Sequence, residues 1–172
     1  MIYPELSEEG IIIYTPNDFE DTIQHFGQYV NEYPDIVLFS IYQGSLTLGH
    51  RLSKEYRLPH SILKYQRIEA KDEQVTLLYD ALYDNTDIGY DSFDENGFFY
   101  NLYKNKTIFL IDDIYDTGET IGRCNDFIND NIVFGGLENF CIFSKEEKEG
   151  LKYHHLDKTK HWVKFLPWEG NK

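Results

Sequence analysis

Positive charge is scarce in this chain: 16 Lys and Arg stand against 30 Asp and Glu, for a formal net charge of −14. Such a surface repels a phosphate backbone at long range, which argues against a nucleic-acid partner. It also makes any anionic ligand harder to attract, so a local basic patch or a metal cation has to offset it. Cysteine is nearly absent. Cys124 and Cys141 are the only two, and they lack metal-type spacing. One falls on an apolar helix face and the other in a strand-like run, so both read as buried thiols. No apolar run approaches membrane-spanning length, so no membrane partner is expected. The opening Met1–Glu9 has neither a basic segment nor an apolar core, so no signal peptide is expected. A soluble cytoplasmic protein is the plain reading. Repeats and low-complexity linkers are missing too.

Aromatic residues, by contrast, are abundant, with 14 Tyr and 12 Phe. The 172 residues read as one domain, 1–172, with a core of its own. Ile11–Tyr14 is a short strand candidate. Thr15-Pro16-Asn17-Asp18 then starts a helix, with Thr15 as N-cap, Pro16 in the first turn and Asp18 as the capping-box acid. Phe19, Ile23, Phe26 and Val30 form its apolar face, and Pro34 ends it. Ile36–Ile41 is a second, buried strand. A Gln43-Gly44-Ser45 turn leads from it into a helix carrying Leu46, Leu48, Gly49 and Leu52. Ile62–Tyr65 is a third strand, running into Gln66 and Arg67, and Leu137–Phe143 is a later one.

Residues 68–105 form a long acidic insertion. Between Lys71 and Lys104 lie eight acids, no Lys or Arg, and eight interleaved Tyr and Phe. Val75–Leu78 reads equally as a strand or a helix start. So many aromatics predict that 72–103 is ordered, packed on its own domain or on a second copy.

Residues 106–121 carry the most information. Thr107–Ile111 is a nearly unbroken apolar run, which suits a parallel strand buried on both faces. Asp112 and Asp113 follow where that strand would reach the surface. The turn is Asp116-Thr117-Gly118-Glu119-Thr120, and behind it Ile121, Cys124, Phe127 and Ile128 recur at helical spacing. Backbone N–H groups, two hydroxyls and a helix N-terminus favour a bound phosphate, and Gly118 lets the main chain approach it. The two carboxylates suit ribose hydroxyls, or a phosphate-bound Mg²⁺. Phosphate, diol and Mg²⁺ together point to a phosphorylated sugar. The plainer alternative is a solvated strand-to-helix turn. Alternating strands and helices predict an α/β domain with a mainly parallel central sheet flanked by helices. Ligands in such sheets bind at the carboxyl ends of the strands, where Gln43, Tyr65, Asp112 and Lys145 all fall.

Ile111–Thr120 resembles the 5-phosphoribosyl-1-pyrophosphate (PRPP) binding motif of the type I phosphoribosyltransferases. It is most similar to the version in bacterial xanthine-guanine enzymes, which also carries Asp-Asp. The resemblance covers roughly residues 36–67, 106–145 and 160–169. It implies that family's fold with a small C-terminal hood, about 146–172, that reads the base. It also implies phosphoribosyl transfer from PRPP to a 6-oxopurine (guanine, hypoxanthine or xanthine), releasing pyrophosphate, in purine salvage. Thr117, Gly118, Glu119 and Thr120 would cradle the 5′-phosphate, and Asp112 and Asp113 would hold the ribose hydroxyls directly or through Mg²⁺. Asp116 would take the N7 proton of the base as general base, although it also suits a cap on the helix beginning at Gly118.

Gln43 and Gly44 fall on the family's pyrophosphate loop, but Gln43 stands where a basic residue is usual and Ser45 replaces a second glycine. Lys64 and Arg67, flanking Tyr65, are the nearest cations, and Arg67 is the expected compensating one, the plainer alternative being a solvated residue at the start of the loop. Tyr65 alone remains of a Ser-Tyr pair at the base of the family's mobile loop. Phe143-Ser144-Lys145 and Trp162-Val163 match the base-binding positions. An ammonium has donors only, which suits a C6 carbonyl over adenine's amino group, and a Trp face suits a flat heterocycle. Pro167-Trp168-Glu169 resembles the ending of the bacterial enzymes, making Glu169 a further Mg²⁺ candidate. The plainer alternatives are a solvated Lys145 and a core Trp168. His154, His155 and His161 lack metal partners at useful spacing and read as surface histidines. The expected partners are PRPP, a purine base and a second copy of the chain, in a dimer or tetramer. A PRPP- or nucleotide-sensing regulator without turnover, or a structural protein on a degenerated fold, would keep the same pattern.

Overall fold

The computed structural model describes residues 3–69, 72–81 and 103–166. In chain order the elements are β1 (Glu5–Leu6), β2 (Ile11–Tyr14), α1 (Pro16–Glu32), β3 (Ile36–Tyr42), α2 (Leu46–Tyr56), β4 (His60–Glu69) and β5 (Asp72–Ala81). β6 (Thr107–Tyr115), α3 (Glu119–Asn131), β7 (Gly136–Ser144), β8 (Leu151–Leu156) and β9 (Trp162–Phe165) follow. α1 begins where its capping box demands. Thr15 N–H donates to Asp18 Oδ2 at 2.7 Å, and Asp18 N–H donates back to Thr15 Oγ1 at 3.3 Å.

The main sheet has the strand order β5-β4-β3-β6-β7-β8. β4, β3, β6, β7 and β8 run parallel, and β5 is antiparallel to β4 at one edge. Successive residues of β6 alternate between its two faces. Phe109 and Ile111 pack with the α1 and α2 side chains, while Ile108 and Leu110 pack with Ile121, Cys124 and Ile128 of α3. That is why Thr107–Ile111 reads as an apolar run: both faces of the strand are core. Cys124 and Cys141 are buried free thiols, as their positions predict.

The connections fix where a ligand can sit. α2 carries the chain from β3 to β4, and α3 carries it from β6 to β7 in the opposite direction across the sheet. β3 and β6 are neighbours whose exits diverge, which opens a crevice beyond their carboxyl ends. A second sheet, β1-β2-β9, in which Ile11 of β2 pairs with Trp162 of β9, packs Tyr14 and Phe165 on Phe143 near the carboxyl end of β7. The hood therefore draws two of its three strands from the N-terminus, a share that the C-terminal resemblance did not reveal. The insertion begins as strand β5, hairpinned on β4, and Tyr103 at its far end is wholly buried beside Phe39. Its residues 82–102 lie outside the described residues.

β8 was not expected within the polar stretch 146–160, and it changes the reading of the histidines. His154 and His155 are 5% and 1% exposed, so they are core residues rather than surface ones. The His154 ring lies 4.8 Å from that of His25 and 4.0 Å from that of His155, and its Nδ1 is 2.6 Å from Thr22 Oγ1. His155 stacks on Phe143 at 4.9 Å, with both ring nitrogens buried and without a hydrogen-bond partner. Burial, reinforced by the neighbouring histidines, pushes His154 down to about 3. Burial takes His155 to about 4, against the raising influence of Asp18. The unfolded chain protonates such groups near pH ~6.5, whereas the folded chain resists until about 3–4. Stability is therefore lost as pH falls below ~6.5. His155→Phe should keep the stack on Phe143 while deleting two unsatisfied nitrogens. It should raise stability by about 1–3 kcal/mol and flatten the acid-side loss, measured by urea denaturation over a pH series.

Candidate active site

The chain leaves β3 through a cis Tyr42–Gln43 peptide bond and turns at Gln43–Ser45 into α2. Ser45 is buried. Its Oγ lies 2.6 Å from the Ile111 carbonyl of β6 and accepts from Ile41 N–H at 2.8 Å. A glycine here could not make that tie, which gives the departure at Ser45 a structural reason. A Cβ built on Gly44 would fall 2.3 Å from Asp113 Oδ2, so the turn lies directly against the acidic pair. Gln43 is exposed, and its amide donates to the Tyr42 hydroxyl at 2.9 Å.

The acidic pair lies within β6 rather than after it, since the strand continues to Tyr115. Asp113 N–H donates to Asp112 Oδ1 at 3.0 Å, and Ile114 N–H donates to Asp113 Oδ1 at 2.8 Å. Asp112 is buried. Its burial, together with the Asp113 charge, raises its carboxyl well above the usual range, against a smaller lowering by the Asp113 N–H. Beyond Tyr115 the chain forms a small concavity lined by Asp112, Tyr115, Asp116, Thr117, Gly118 and Thr120, among others. Gly118 is the N-cap of α3 and has φ +78°, and a Cβ there would meet the Tyr115 hydroxyl at 2.3 Å. With no side chain at the cap, the N–H groups of Thr120 and Ile121 have no intrahelical acceptor. Asp116 does not cap the helix. It is exposed and pairs with Lys160 at 3.0 Å across the crevice.

On the neighbouring strand, Lys145 follows β7, and its N–H donates to the Tyr115 carbonyl at 2.8 Å. Its ammonium is buried rather than solvated. It donates to Asp157 Oδ2 at 2.8 Å and to the His161 carbonyl at 2.6 Å. Trp162 is 75% exposed, the most exposed large apolar side chain among the described residues, whereas the Val163 side chain is core. Asp112, Asp116, Thr117, Gly118, Glu119 and Thr120 thus line one concavity at the β6 exit, and Gln43 and Gly44 lie against Asp113 beside it. Lys145 meets it through the Tyr115 carbonyl, and Trp162 follows His161, whose carbonyl Lys145 holds. The Arg67 side chain, Trp168 and Glu169 lie outside the described residues. Sequence reasoning missed Asp157 and Lys160, which sit in a charged turn with no motif to mark them.

No protein-family model and no curated protein matches the sequence. Solved structures do match it. A purine phosphoribosyltransferase from Pyrococcus horikoshii Ot3 superposes with a TM-score of 0.66 at 18% identity, covering 94% of this chain and 95% of its own. The chain has the type I phosphoribosyltransferase fold. A Helicobacter pylori xanthine-guanine-hypoxanthine phosphoribosyltransferase gives 0.62 at 14% identity, covering 91% and 92%. A hypothetical protein from Neisseria gonorrhoeae with bound ppGpp gives 0.62 at 16%, covering 92% and 89%. Among the described residues no helix is long and apolar enough to cross a membrane.

Among the described residues no group of three His, Cys, Asp or Glu is placed to hold a metal ion. Two adjacent carboxylates, one of them strained by burial, still fit Mg²⁺, which takes one or two carboxylates and fills its shell with substrate phosphates and water.

Two glycines four residues apart test the turn geometry. Gly118→Ala should cost about 1–2 kcal/mol, through its left-handed φ and the clash with Tyr115. Gly122→Ala, on the open side of α3 with nothing within 4 Å, should instead add about 0.5–1 kcal/mol. Thermal denaturation of the two variants reads both signs.

Proposed function

We propose that this protein transfers the 5-phosphoribosyl group of PRPP to a 6-oxopurine, releasing pyrophosphate. The observation that carries this reading is the contact of Gly44 with the Asp113 carboxylate. It unites the pyrophosphate turn and the PRPP motif at one switch point, one strand away from Lys145. The α3 N-terminus with Thr117 and Thr120 receives the 5′-phosphate, because its free N–H groups favour an anion. Asp112 and Asp113 receive the ribose hydroxyls and, with Glu169, are the candidates to hold Mg²⁺. When bound, that ion supplies positive charge to the pyrophosphate as it leaves. Lys145 donates to O6, and the exposed face of Trp162 stacks on the ring. Asp116 accepts the N7 proton. Its link to Lys160 is an exposed pair of the kind worth about 0–1 kcal/mol, so a base displaces it at little cost. The oxocarbenium-like transition state requires these groups to be held in line with water excluded. The same reading places the activity in cytoplasmic purine salvage, with neither nucleic acid nor membrane as a partner.

A second reading, nucleotide binding without turnover, is favoured by Gln43, a neutral amide in the pyrophosphate turn that is already bonded to Tyr42. The ppGpp held by the Neisseria protein is consistent with it. Incubation with PRPP, Mg²⁺ and each purine separates the two. Nucleotide formed from guanine, hypoxanthine or xanthine supports transfer. A melting shift with PRPP but no product supports binding alone, and product only from adenine sinks the 6-oxopurine assignment.

Asp116→Asn should lower kcat by about 10²–10⁴-fold. Because Asp116 is exposed and caps nothing, stability should stay within about 0.5 kcal/mol, read as melting temperature on the same preparation.

A further inference from the structure

The base side of the crevice contains a feature that phosphoribosyl transfer does not itself require. Asp157 is almost wholly buried, and both its oxygens are used. Oδ2 accepts from the Lys145 ammonium at 2.8 Å, and Oδ1 accepts from Thr159 Oγ1 at 2.6 Å with His161 Nδ1 at 3.0 Å. The residue is anchored as well: Asp157 N–H donates to the Ser144 carbonyl at 2.8 Å, and Lys160 N–H donates to the Asp157 carbonyl at 3.2 Å. Burial alone would raise its carboxyl, but the bonds from Lys145, Thr159 and His161 outweigh it and hold the group ionised, far below the usual range. Stability does not demand such a pair, since buried ion pairs are often replaceable by apolar residues at no loss.

The consequence falls on Lys145. An ammonium has three N–H donors. Two are committed, to Asp157 and to the His161 carbonyl, which leaves one with its direction set. Its charge is also cancelled at contact distance. The other lysine on this side, Lys160, already faces the Asp116 carboxylate. One donor on a neutralised cation satisfies one carbonyl oxygen. It offers little to a base that carries a negative charge, because burying an anion without a net countercharge is costly.

We propose that Asp157 is a specificity-determining residue which, by neutralising Lys145, tunes the site to neutral 6-oxopurines such as guanine and hypoxanthine and against the xanthine anion. This rests on the phosphoribosyl-transfer reading. The test is kcat/KM of the full chain with PRPP, Mg²⁺ and each of the three bases, below and above the pH at which xanthine loses its first proton. The wild type should favour guanine over xanthine by about tenfold or more above that ionisation, and by less below it. Asp157→Asn keeps an acceptor for Lys145 but removes the charge. It should narrow the guanine-to-xanthine ratio by about tenfold while leaving KM for PRPP unchanged. A variant that loses all three bases in equal proportion would show a merely structural role and overturn the inference alone. So would a wild type that prefers xanthine as its anion. If Asp157→Asn does not fold, the wild-type ratio and its pH dependence decide. No nucleotide from any 6-oxopurine with the wild type would overturn the transfer reading and this inference together.

Discussion

The hydroxyl of Ser45 bridges β3 and β6 at the Ile111 carbonyl, one residue before the acidic pair. That bond extends the β3–β6 pairing past its last rung, into the turn that meets the acidic pair. Both strands are buried on both faces, so neither can release a polar side chain until it passes the edge of the core. They pass that edge side by side, and their connections then diverge. Without the Ser45 tie, the 43–45 turn could drift from Asp113. With it, Gly44 packs so closely on that carboxylate that no side chain fits between them. The crevice is a consequence of topology, and its narrow floor is held by the β3–β6 ladder together with the Ser45 bond.

The charge distribution follows from that placement. A chain of net charge −14 with Asp112, Asp113, Asp116 and Glu119 around one turn is a poor anion receptor on Coulomb grounds. On the transfer reading, the attraction for phosphate would be dipolar: the Thr120 and Ile121 N–H groups at the α3 N-terminus have no intrahelical acceptor and follow a glycine in the left-handed region. Lys145 and Lys160 are each matched to a carboxylate. An anion bound there would be selected by direction more than by net charge, and a divalent cation on the acidic pair would be the largest positive charge.

Much of this was legible in the sequence, for identifiable reasons. The 107–121 segment states strand, acids, turn and helix in order because each demands a different residue type: β-branched and aromatic core, carboxylates at the edge, glycine at positive φ, then helical spacing. The α1 start was legible for the same reason, since a capping box is local chemistry. What failed to show was long-range. β8 was hidden because the side chains it buries are His154 and His155, which look polar in sequence and become core only by stacking on His25 and Phe143. The N-terminal share of the hood was hidden because β2 and β9 pair across almost the whole chain. Lys145 was legible as a candidate, but not its partner, because nothing in Asp157-Lys158-Thr159-Lys160 distinguishes a buried aspartate from a solvated one.

Those long-range features converge on the base side of the site. Trp162 is the first residue of β9, and β9 is held by β2, so its exposed ring takes its position from the N-terminal strands. The turn leading into β9 is tied to the main sheet through Asp157 N–H on the Ser144 carbonyl and through the Lys145–Asp157 pair. One short segment, 157–162, thus links hood and sheet. It also delivers Lys160 to Asp116 and the His161 carbonyl to Lys145. The turn after β6 is built from consecutive residues of one strand and one loop, so a local motif can specify it. The surroundings of Lys145 are assembled from strands of two sheets and depend on the whole fold. The turn after β6 can therefore be read from sequence alone, whereas contacts such as Lys145–Asp157 are visible only in the fold.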